Sequence, residues 1–129
     1  MPQLDPARLA EWARTRATVD RVARAIDSDL QAEWAVPLAW FDVLAQLRQL
    51  GGRARPQDVA SGLGIPRATL SRRLDRLEEE GWVQRVPGRD PSDHRAVDIE
   101  LTPRGRTLWR AMNQTYRSAV NKYWPADQS

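Results

Sequence analysis

Apolar residues recur along this chain at helical spacing, with one short interval where the period drops to two. Asp5-Pro6 is an N-cap followed by proline at the first helical position. From there Leu9, Trp12, Val19, Ala23, Ile26 and Leu30 follow at intervals built from threes and fours, with Arg16 set in the same row. The pattern predicts one amphipathic helix of about 28 residues, roughly 40 Å long. Pro37 opens a second helix whose apolar face is Trp40, Val43, Leu44, Leu47 and Leu50, and Gly51-Gly52 ends it. Pro56 opens a short third helix, "PQDVASGL", which Gly64 breaks. Pro66 opens a fourth, in which Leu70, Leu74 and Leu77 form the buried row and Gly81 is the stop.

The period then changes. Residues 82–86, "WVQRV", and 96–102, "AVDIELT", read as two strands. In the second, Val97, Ile99 and Leu101 are expected to point in, Asp98 and Glu100 out. The intervening "PGRDPSDHR" (87–95) is rich in turn formers and reads as a hairpin loop. Thr102-Pro103 caps a last helix with Leu108, Met112, Tyr116, Ala119, Val120 and Tyr123 on its stripe, and Pro125 stops it.

Two short helices joined at a glycine and followed by a two-stranded hairpin make a winged helix-turn-helix. Ala60 is small where the two helices cross, and Gly64 permits a left-handed turn. The expected fold is thus mainly α. It is a single domain over 1–129, with a winged core over 36–102 and long flanking helices over 1–35 and 103–124.

Composition removes several function classes. There is no cysteine and one histidine, His94, so thiol chemistry and a Ser-His triad are excluded and a transition-metal site is poorly supplied. No cofactor or metal is expected. No apolar stretch approaches the 18 or more residues of a membrane span, and "MPQLDPARLAEW" lacks the layout of a signal peptide. A cytoplasmic chain is the expectation.

Charge is placed unevenly. The net charge is +3. Residues 1–50 carry six Arg against seven acids, a balance of −1, whereas residues 51–76 carry six Arg against Asp58 and Asp75, a balance of +4. In the fourth helix the leucine row faces one way. At about 100° per residue, Ala68, Thr69, Arg72 and Arg76 face the other way, with Arg67 and Arg73 on the flanks. Glu78, Glu79 and Glu80 all follow the arginines. A recognition helix needs this order, because its N-terminal half meets phosphates and base edges in the major groove. The competing reading is a solvated face with internal salt bridges. The expected DNA contacts are Arg55, Arg67, Ala68, Thr69, Ser71, Arg72, Arg73 and Arg76, with Arg89, Asp93, His94 and Arg95 in the hairpin.

Those residues carry a resemblance. "ATLSRRLDRLEEEGWVQR" followed by "PSDHRAVDIELTPRG" resembles the MarR family of bacterial transcription regulators. The most specific elements are Asp93-x-Arg95-Ala96-Val97 and Leu101-Thr102-x-x-Gly105. The resemblance implies a winged-helix homodimer on a pseudo-palindromic operator, with Arg95 in the minor groove and Asp93 orienting it. A structural ion pair stiffening the hairpin is the alternative for these two. His94 stands where the family often has Arg or Lys, and Arg73 where an aliphatic residue is usual. The chain stops about where the family's further C-terminal helix begins, so the dimer is expected to rest on the first and last helices.

A small-molecule effector is a further expectation. Arg16 lies in an apolar row and needs a partner. An acidic aromatic ligand held among Trp12, Trp34, Trp40 and Trp109 would supply one, and the resemblance implies release of DNA on binding. Against this, tryptophans at helical spacing are usually core. Two other functions compete with repression of transcription. A hydrolase using Asp90 and Asp93 would lack both a pocket and a nucleophile. A winged helix used as a protein-interaction module would present an apolar or mixed recognition face.

Overall fold

A computed structural model describes residues 5–89, 92 and 96–125. Their order is α1 (Pro6–Trp34), α2 (Leu38–Gln49), β1 (Arg53–Ala54), α3 (Pro56–Leu63), α4 (Arg67–Glu79), β2 (Val83–Pro87), β3 (Val97–Leu101) and α5 (Pro103–Tyr123). The punctuation acts as its chemistry demands. The Asp5 carboxylate accepts from the amide of Ala7 at 2.9 Å, satisfying one of the orphan donors of α1. Gly64 turns the chain between α3 and α4 at φ +66°, and Gly81 ends α4 at φ +79°.

Two apolar clusters share α2. One joins Val43, Leu44 and Leu47 of α2 to Val59 and Ala60 of α3, to Leu70, Leu74 and Leu77 of α4, and to Val83, Ile99 and Leu101 of the sheet. The other joins Phe41 of α2 to Val22, Ile26 and Leu30 of α1 and to Met112 and Ala119 of α5. Each such aliphatic side chain stabilises the fold by about 1.5–3 kcal/mol on full burial. The winged core therefore sits rigidly on α1 and α5.

Three details differ from the sequence pattern. The expected hairpin of β2 and β3 gains a third strand: β1 pairs antiparallel with β3 in a sheet of order β1-β3-β2. A strand of two residues carries no periodicity, so its pairing is set by tertiary contact. The alternation in β3 also breaks at its start, where Val97 is exposed and Asp98 is buried. Arg53 of β1 reaches Asp98 and makes that burial tolerable. Leu50, assigned to the apolar face of α2, is exposed.

The segment Leu101-Thr102-x-x-Gly105 has a purely local explanation. The Thr102 hydroxyl donates to the Gly81 carbonyl at 2.6 Å and accepts from the Gly105 amide at 3.0 Å. The Thr102 amide donates to the Trp82 carbonyl at 3.1 Å. A β-carbon at position 105 would run into that same Trp82 carbonyl, which is backbone and has little room to move. Gly105→Ala is therefore expected to destabilise the fold by about 1–3 kcal/mol, read as a lowered Tm.

Candidate nucleic-acid interface

Helix α4 is built to present its first turns outward. Leu70, Leu74 and Leu77 are buried. The opposite residues Arg67, Ala68, Ser71, Arg72 and Arg76 are exposed, and Thr69 is half-buried. Pro66 supplies no capping side chain and the first turn holds no acid, so the leading amides of α4 face outward among arginines. Among the described residues Arg67 and Arg72 form no ion pair. Arg76 lies 3.8 Å from Glu79, with both side chains 68% exposed, a geometry that contributes little in water.

Two acids of α4, Asp75 and Glu78, are turned toward the wing. Arg85 of β2 donates to Glu78 at 2.6 Å and to Asp75 at 2.9 Å. Burial works against the guanidinium charge. The hydrogen bond to Asp75 and the attraction of Glu78 outweigh it and hold Arg85 above the usual arginine range. The pairing removes Asp75 and Glu78 from the field that a polyanion would meet and ties β2 to α4.

Between the start of α3, the start of α4 and the base of the wing lies an open cleft of about 730 Å³. Arg55, Arg67 and Arg89 line it, together with Arg53, Gln57, Asp58 and Asp98. Three of the expected contacts thus converge from three separate elements. Asp93, His94 and Arg95 lie outside the described residues. Arg53, Gln57 and Asp58 were not among the expected contacts. Arg53 belongs to the basic segment, but the strand that aims it was not legible.

Arg73 is corrected. It is half-buried and lines a different cleft, with Ala23, Arg24 and Asp27 of α1, Leu38, Ala39 and Asp42 of α2, and Leu63 and Ile65 around the turn. Its charge acts on Asp42. Burial raises the Asp42 carboxyl above its ordinary 3.8, and Arg73 partly offsets the rise. Tyr116 of α5 is raised too, by burial and then by Asp42. A carboxyl raised on folding favours the folded state below 3.8, and that contribution is lost as pH rises through its folded value. Asp42→Asn should therefore remove one source of declining stability across that window. Thermal melts of both proteins over a pH series check this; parallel curves would contradict it.

The scan of known families matches the MarR family over residues 36–96, the segment from the start of α2 to the end of the wing loop. The HTH-type transcriptional regulator PecS of Dickeya dadantii (strain 3937) is 38% identical over 96 residues, 70% of this chain and 57% of PecS. Over its winged core the chain is similar to the MarR family. The multiple antibiotic resistance protein MarR of Escherichia coli (strain K12) is 33% identical over 79 residues, 61% of this chain and 53% of that one. The chain spans about half the length of the curated relatives it matches. Sco3205, a MarR family transcriptional regulator from Streptomyces coelicolor in complex with DNA, matches with a TM-score of 0.85 at 26% identity, over 96% of this chain and 78% of that one. AbsC, a MarR family transcriptional regulator from the same organism, matches with a TM-score of 0.83 at 21% identity, over 96% of this chain and 82% of that one, a likeness of fold.

Of the residues expected around an effector, Trp34, Trp40 and Trp109 pack against the cluster of α1, α2 and α5, whereas Trp12 and Arg16 stand apart from them. Trp12 and Arg16 lie on the exposed half of α1. Trp34 is 22 residues beyond Trp12 on the same helix, a separation of about 33 Å. Trp34 donates to Thr115 at 2.9 Å. Trp40 stacks edge-on to Trp82 at 6.3 Å, and Trp109 lies under the Arg48 guanidinium at 5.5 Å. Arg16 is exposed and has Asp20 at 3.9 Å, so its charge demands no ligand. No helix among the described residues is long and apolar enough to cross a membrane.

Proposed function

We propose that this chain is a MarR-family, sequence-specific DNA-binding transcription regulator that represses by occupying a pseudo-palindromic operator as a homodimer. The observation that carries the reading is the outward face of α4. Among the described residues Arg67 and Arg72 toward its N-terminal end form no ion pair, while Asp75 and Glu78 further along are bound to Arg85. In a dimer the two α4 helices would enter successive major grooves. Arg55, Arg67 and Arg89, around one cleft, would meet the backbone between α4 and the wing. Arg95, with Asp93 orienting it and His94 beside it, would take the minor groove. The flanking helices α1 and α5 would form the dimer, and the work would be done in the cytoplasm without catalysis.

The test is binding to duplex DNA across a salt series. A protein neutralising several phosphates loses affinity with a log–log slope of roughly −0.9 per phosphate. A flat salt dependence would sink the reading.

An effector fits this account at a different place from the tryptophans. The cleft of about 430 Å³ bounded by Arg24, Leu38, Asp42, Ile65 and Arg73 adjoins α1, α2 and α4 together. Its mixture of apolar wall and arginines suits a small aromatic acid, and occupancy there would bear directly on the angle of α4. Titrating aromatic acids while following operator affinity checks this. Arg73→Ala should abolish any response while sparing DNA binding; a full response in that variant would discard the cleft.

A further inference from the structure

Asp98 is the one buried charged residue among those described, 5% exposed in a strand that otherwise reads as alternating. Burying a carboxylate is unfavourable by several kcal/mol unless it is paired and hydrogen-bonded. The partner lies 45 residues earlier in the chain. Arg53 Nε donates to Asp98 Oδ2 at 2.9 Å. The same guanidinium donates through Nη2 to the Pro87 carbonyl at 2.6 Å, and its Nη1 lies 3.8 Å from Glu100.

The register explains how one side chain does this. Arg53 sits opposite Glu100, so Asp98 is its diagonal neighbour on the same face of β3. Asp98 in turn sits opposite Val86, and Val97 opposite Pro87, the last residue of β2. Arg53 therefore reaches across β3 to the last carbonyl of β2. Beyond Pro87, among the described residues, the two strands hold one another through one backbone bond, Gly88 to Ala96 at 2.8 Å. Arg53 is also joined to the helix-turn-helix, because β1 runs through Arg55 directly into α3.

We infer that Arg53, held by Asp98, is a positioning residue that sets the wing at a fixed angle to α3 and α4 and so contributes to operator recognition without contacting DNA. Its place beside Arg55, Arg67 and Arg89 makes it resemble a phosphate contact. Its geometry says otherwise. Nε and Nη2 donate to Asp98 and Pro87, Nη1 faces Glu100 at 3.8 Å, and the side chain is only 23% exposed. This inference rests on the operator-binding reading above.

Charge-preserving and charge-removing variants separate the two roles. Wild-type affinity for the operator and for a scrambled duplex is measured first. No preference there would overturn the operator reading itself, whatever the variants do. Given a preference, Arg53→Lys keeps the charge and can pair with Asp98, but a single ammonium does not span Asp98, Pro87 and Glu100 as a planar fork does. It should lose roughly 10-fold on the operator, the scale of one good base contact, with the scrambled duplex and the salt slope unchanged. Asp98→Ala should weaken operator binding by a similar factor although it removes a negative charge from the DNA-facing side. Asp98→Asn, whose amide oxygen still accepts from Nε, should recover most of that loss.

The inference is overturned if Arg53→Lys binds as wild type, since charge alone would then suffice. Tighter binding by Asp98→Ala, or equal behaviour of Asp98→Ala and Asp98→Asn, also overturns it, since Asp98 would then act only through its charge. Equal losses on both duplexes that track a lowered Tm assign the pair to folding and overturn it as well. Should Asp98→Ala fail to fold, Arg53→Lys decides alone.

Discussion

Replacing Leu9 and Trp12 together with glutamate is expected to turn a dimer into a single chain of 14.7 kDa and to remove most of its operator affinity. No residue from Pro6 to Arg21 is buried, and Leu9, Trp12 and Val19 are 50%, 62% and 45% exposed. This half of α1 is about 24 Å long, and an isolated helix of that length is marginal in water. Its apolar row, with exposed Trp124 beyond the end of α5, is more uncovered surface than a soluble monomer usually carries. A second copy is the natural cover. Two linked half-site contacts exceed either alone by roughly 100- to 10,000-fold, so the split chain should bind the operator weaker by a factor in that range. Sedimentation and operator titration read both effects. A variant that stays dimeric, or binds as tightly as wild type, would relocate the interface.

Arg72→Ala should discriminate where its neighbours do not. Arg72 is exposed on the outward face of α4, two turns from its start, and forms no ion pair among the described residues. Its fork is placed for bidentate contact with guanine O6 and N7. Loss should be about 1–3 kcal/mol on the operator and much less on scrambled DNA. Arg76, further along and near Glu79, is placed for phosphate. Its loss should weaken all sequences alike and reduce the salt slope by about one unit. Arg73, turned toward Asp42, should matter to neither. Equal losses from Arg72→Ala on both duplexes would mean that α4 does not read sequence through this residue.

The contrast between Arg72 and Arg73 shows what the sequence carried. A helical wheel places a residue on a face, and the leucine row of α4 defined that face correctly. Arg73 lies on its flank, half-buried beside a cleft that Asp42 of another helix also lines. Helix limits were legible because proline fixes the first turn at Pro6, Pro56 and Pro103, and because Gly64 and Gly81 adopt positive φ where other residues resist it. The strand β1 was not, since two residues have no period. With β1 missing, Arg53 had no aim, and Asp98 was assigned to solvent by alternation alone. Trp12 stands apart from the other expected tryptophans for a reason of length: one helix holds Trp12 and Trp34 far apart.

The central claim is that a two-fold dimer reads DNA through α4 and the wing. Selection from a pool of random duplexes tests it most directly. The account predicts recovery of an inverted repeat whose half-site centres lie about one helical turn apart, roughly 10 base pairs, with A·T-rich flanks where the wing would sit. Recovery of no sequence, or of a single unrepeated motif, would contradict it.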